Sequence, residues 1–114
     1  METYFGLELH EFTDGATLRT WLLANHAVSP GVWVRVYKAA SGHTSVTFEE
    51  LLDQGLCFGW SESLRHRGDA VSYLQKFTPR RTRGTTSQRN RAHAQKLIAS
   101  GEMTDAGLRA LDMK

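Results

Sequence analysis

Three valines at alternate positions, Val32, Val34 and Val36, interleave with Trp33, Arg35 and Tyr37 and commit residues 31–38 to an extended strand with two unlike faces. Such a strand cannot stand alone. Its backbone groups need neighbouring strands and its valine face needs a cover, so the rest of the chain has to supply both. Two further segments have the same period. Leu7 and Leu9 alternate with Glu8 and His10 between Phe5 and Phe12, and Val71 to Phe77 alternates until Pro79 ends it.

Between and after these runs lie four helix starts. Asp14 precedes a segment that places Leu18, Trp21 and Leu22 on one face, and Thr47-Phe48-Glu49-Glu50 has the form of a capping box. The arc of that second helix runs through Phe48, Leu51, Leu52, Gly55 and Leu56, and a glycine in mid-arc predicts that another element comes close. Ser87 caps a third helix that buries Ala94, Leu97 and Ile98 before Gly101. Thr104 caps a last one through Leu108 and Leu111. The order β-α-β-α-β-α-α predicts one small α+β domain over 1–114, with a short, mainly antiparallel sheet packed on helices. A chain of 114 residues can bury roughly two thirds of its unfolded surface, so it needs neither disulfide nor metal to fold.

Charge is distributed unevenly along this frame. Residues 65–96 hold nine Lys or Arg against the single acid Asp69, a net of +8, while the remainder holds five basic and eleven acidic residues, a net of −6. Segregation of this kind points one face at an anionic partner. Arg80, Arg81 and Arg83 lead into the Ser87 helix, and guanidinium groups beside free helix amides suit a phosphate or carboxylate. Arg89 extends the cluster. Asn90 shares the arc of Ala94 and Leu97, so it is expected to be largely buried, its amide bonded to backbone between Thr78 and Thr86. Trp60 follows a helix-ending Gly59 and is expected at the surface, where it offers a stacking plane to single-stranded nucleic acid; Tyr73 and Phe77 fall on the inward side of their strand.

Other chemistry is not signalled. The five histidines form no pair at helical ligand spacing, Cys57 lacks a Cys-x-x-Cys partner, and neither a nucleophile elbow nor a P-loop nor a dinucleotide fingerprint occurs. No metal, cofactor or catalytic residue is therefore assigned. Cys57 sits off the apolar arc near Glu50 and Asp53, either partly exposed or covered by a second layer at the helix end. The opening Met1-Glu2-Thr3-Tyr4 lacks the basic and apolar segments of a signal peptide, and no apolar run spans a bilayer, so the expected compartment is the cytoplasm.

Four blocks also form a familiar series: Ser29-Pro30-Gly31-Val32-Trp33, Leu56-Cys57-Phe58-Gly59-Trp60, Phe77-Thr78-Pro79-Arg80-Arg81 with Ser87 and Asn90 beyond, and Gly101-Glu102-Met103-Thr104-Asp105-Ala106-Gly107. In this order the chain resembles the bacterial YdeI/OmpD-associated, or bacteriocin-protection, family over nearly its whole length. The resemblance implies a role in stress resistance and no cofactor. Two positions depart from the family pattern: Ser61-Glu62-Ser63 replaces an apolar residue, Asp and Gly, and Thr86 replaces a Trp. The reading that follows is a non-enzymatic binding or stress-protection domain whose basic surface meets a polyanion, either nucleic acid or anionic lipid, or an acidic protein. Two alternatives stand beside it. One is a protein-interaction module anchored by Trp60 or Trp33. The other is an enzyme on a small phosphorylated or carboxylated metabolite, which requires a pocket enclosing Arg80 or Arg81 with Glu62 or Tyr73.

Overall fold

The structure is a computed structural model that describes residues 2–81 and 87–114. Ten elements follow one another: strands Thr3–Tyr4 (β1) and Leu7–His10 (β2), helix Gly15–Asn25 (α1), strand Val32–Tyr37 (β3), a single 3-10 turn at Ala39–Ser41 and helix Phe48–Phe58 (α2). Strands Trp60–Arg67 (β4) and Ser72–Pro79 (β5) and helices Gln88–Ser100 (α3) and Asp105–Ala110 (α4) complete the chain. The five strands form one sheet in the order β1-β2-β3-β5-β4. Only β2 and β3 run parallel; the other pairs are antiparallel. The domain is thus α+β, as its alternating and helical segments predict.

The helix starts lie where the side chains able to cap them stand. Asp14 accepts from the Thr17 amide, and Thr47 and Glu50 exchange both bonds of a capping box. Ser87 and Thr104 receive the Asn90 and Gly107 amides. Each satisfies amide donors that a helix start leaves without a carbonyl.

Two strands were not legible as such. β1 is two residues long and gives no periodic signal. β4 does have length, but a bulge between Glu62 and Leu64 shifts its register on β5 and so breaks the period of two. It is also a sheet edge with half of its residues exposed, and its polar sequence reflects that position.

Register assigns the two faces of the sheet. Val32, Val34 and Val36 stand opposite Phe77, Gln75 and Tyr73, and this side packs on Leu18 and Leu22 of α1 and Leu51 and Leu56 of α2. Trp33 lies on the other face beside Leu9 and Lys76, with the rings of Tyr4 and His66 against it. Gly55 explains itself here: a Cβ on it would stand 3.0 Å from the Trp60 carbonyl and 3.1 Å from the Phe77 ring, so only a residue without a side chain lets α2 approach β4 and β5 this closely. One core expectation fails. Ile98 is 38% exposed, because α3 touches the domain along a narrow stripe through Ala94 and Leu97.

Candidate anion-binding surface

The described residues divide the cations of residues 65–96 into two groups. Arg65, Arg80 and Arg91 are engaged inside the molecule. Arg65 lies over the Tyr73 ring at 4.0 Å and the Phe48 ring at 5.3 Å, and Arg91 donates to the Leu111 carbonyl at 2.9 Å, where it closes the end of α4. Arg80 is half-buried and faces Glu62. Burial lowers the Arg80 pKa and raises that of Glu62, and each charge partly offsets the effect on the other. Arg80 Nε and Glu62 Oε2 are both buried and have no hydrogen-bond partner among the described residues. Arg80 is thus coupled electrostatically to Glu62 within the protein.

Arg67, Lys76, Arg81, Arg89 and Lys96 make up the second group, with no acidic partner among the described residues. Arg81 is exposed just past β5, and Arg89 and Lys96 are exposed on α3, which carries no acid in its thirteen residues. Arg83 lies outside the described residues. Ser87 is exposed and its hydroxyl is occupied by the Asn90 amide, so it acts as a helix cap.

Asn90 is half-buried, not enclosed. It and Arg89 line a groove of about 670 Å³ between α2 and α3. The backbone segment expected to bind its amide includes residues 82–86, which lie outside the described part. Beside Arg89 and Asn90 the groove holds Glu49, Asp53, His93 and Lys96, none of which the sequence had singled out as a site. Arg89, His93 and Lys96, at spacings of four and three, share one stripe of α3, and Glu49 and Asp53 share a stripe of α2. His93 Nε2 and the Asp53 carboxylate make a short hydrogen bond across it. The i, i+4, i+7 spacing was present in the sequence, but the pairing of the two helices was not.

Trp60 is a correction. It is 1% exposed, its ring packs against Trp21 and Phe77, and its indole N–H donates to the His26 carbonyl at 3.3 Å. Although Gly59 does end α2 in the left-handed region, the chain turns directly back into β4, so the indole falls beneath the helices. It offers no stacking plane. Trp33, also 1% exposed, is equally unavailable as an anchor. Tyr73 lines a different recess, with Tyr37, His43 and Phe48.

Fold and surface together define a small α+β domain with an exposed basic helix and a charged interhelical groove. The chain belongs to a family described as a domain of unknown function (DUF8412), whose model matches residues 10–110. No curated protein and no solved structure matches it.

Proposed function

We propose that this domain is a non-enzymatic binding protein that holds the phosphate backbone of nucleic acid against the exposed flank of α3 that borders the groove and against the end of β5. One observation carries the reading: Arg81, Arg89 and Lys96 have no acidic partner among the described residues, while Arg65, Arg80 and Arg91 of the same stretch are engaged within the protein. The exposed residues of α3 include Gln88, Ala92, Gln95 and Ala99, small or polar side chains that let a polymer approach closely, and Ile98 is its only exposed large apolar residue. That composition suits a phosphate lattice better than insertion into lipid. Buried Trp60 supplies no base stacking, so backbone charge is the main term and sequence preference is weak. The resemblance to the YdeI/OmpD-associated family is compatible with a protective role built on such binding.

The test is affinity as a function of salt. On duplex DNA the log-log slope should be about −0.9 for each phosphate neutralised, and about −0.7 on a single strand. Replacing Arg81, Arg89 and Lys96 together by Ala should flatten the slope by roughly two units with the fold intact. Binding undetectable at low salt for both RNA and DNA overturns the proposal; binding confined to anionic vesicles moves the partner to a membrane surface.

A further inference from the structure

The groove between α2 and α3 has walls of opposite charge. Glu49 and Asp53 stand on the α2 side, Arg89 and Lys96 on the α3 side. Phe48, Leu52 and Ala92 contribute apolar lining between them, and the volume of about 670 Å³ lies in the range of small-molecule sites. A purely anionic ligand meets repulsion from Glu49, and a purely cationic one meets Arg89 and Lys96. Both walls are satisfied only by a molecule that carries both charges.

The two walls are also not equally committed. Asp53 already bonds His93, which ties the helices together across the groove. Glu49 is exposed, makes no hydrogen bond or ion pair among the described residues, and lies one turn from the tied pair on the same stripe. Arg89 and Lys96 are likewise without acidic partners, one on each side of His93 in sequence. The free charges therefore comprise one acid and two bases around an apolar strip. Their arrangement matches an ammonium group, an apolar side chain and a carboxylate.

We propose that this groove binds a zwitterion with an apolar body, namely an α-amino acid or short peptide with free termini. The carboxylate pairs with Arg89 or Lys96, the ammonium with Glu49, and the side chain rests on Phe48 and Leu52. The site overlaps the proposed polymer-binding surface at Arg89 and Lys96 but does not rest on that reading.

Glu49 separates the two. The Glu49→Gln variant removes the ammonium partner and also a charge that repels phosphate, so zwitterion affinity should fall by about tenfold, the value of one charge-assisted hydrogen bond. Nucleic-acid affinity should hold or rise. Titration of the whole chain with L-phenylalanine, L-leucine and Leu-Leu, followed by amide chemical shifts, should move resonances of Leu52, Asp53, Asn90 and His93. The response to the free amino acids compared with Leu-Leu identifies which source fits. N-acetyl-L-phenylalanine and phenethylamine, each with one charge, should bind about tenfold more weakly. Glu49 is exposed, so the variant should fold, and a melting curve establishes that it has. Absence of binding by all three zwitterions, shifts confined to other surfaces, or unchanged L-phenylalanine affinity in folded Glu49→Gln each overturns the assignment. Loss of nucleic-acid binding with the zwitterion response retained overturns only the polymer reading.

Discussion

Cys57 and Trp60 show how much one position depends on what lies above it. Cys57 is fully covered, because Thr104 at the start of α4 donates both its amide and its hydroxyl to the Cys57 carbonyl, and Gly107 packs so closely that a Cβ there would collide with the carbonyls of Leu56 and Cys57. Burial, with small contributions from Glu102 and Asp53, outweighs the effect of Arg19 and pushes the thiol up to about 11. Of the two states open to this residue in the sequence, the covered thiol is the one found. Native protein at pH 8 should react with a thiol reagent far more slowly than denatured protein. Stability should respond as well. Between the unfolded thiol's ordinary value and about 11 the folded chain binds more protons than the unfolded chain, so stability falls as pH rises through that window. The loss is on the order of 2–3 kcal/mol. A Cys57→Ala variant should lack it, which denaturant titrations from pH 8 to 11 can measure. For Trp60, truncation to Ala should cost about 3–5 kcal/mol through the emptied core volume. At equal folded fraction it should leave nucleic-acid affinity unchanged, and a loss of affinity there would mean that the indole is accessible after all.

At the scale of elements, α2 and α3 differ in how they are held. α2 buries Leu51, Gln54, Gly55, Leu56, Cys57 and Phe58, and both ends are closed, by a capping box and by left-handed Gly59. α3 is longer but buries only Ala94 and Leu97, and its further ties include the His93–Asp53 bond and the reach of Arg91 to Leu111. Local opening follows buried contact, so the α3 amides should exchange with solvent at a lower opening free energy than those of α2. Native-state hydrogen exchange measures both at once, and equal protection in the two helices would contradict the account. A lightly held helix also fits binding, since its Arg89 and Lys96 are exposed and have no acidic partner among the described residues. Asn90→Ala should cost under about 1 kcal/mol, less than a fully buried amide would, because the side chain is only half-buried. Thermal unfolding checks that figure.

For the molecule as a whole, stability should not depend on metal. The described residues contain no group of three or more His, Cys, Asp or Glu able to hold an ion, and a chelator should therefore leave the melting temperature unchanged. None of their helices is long and apolar enough to cross a membrane. The fold class was legible from the chain because local signals agreed: valine alternation for β3, a capping box for α2, and Ser87, Thr104 and Gly101 at helix ends. Such features act within a turn or two, where the backbone and nearby side chains decide the outcome. The uneven charge was legible for the same reason, as composition needs no geometry. What remained hidden depended on contacts distant in sequence. The β4 edge is defined by its register on β5 and its bulge, Trp60 by the return of the chain beneath α1, and Cys57 by a helix 47 residues further on. The division of the described basic residues into engaged and unpaired ones, and the meeting of His93 with Asp53 across the groove, arose only when α2 and α3 packed, because side chains on separate helices have no common periodicity until the core sets the helices side by side.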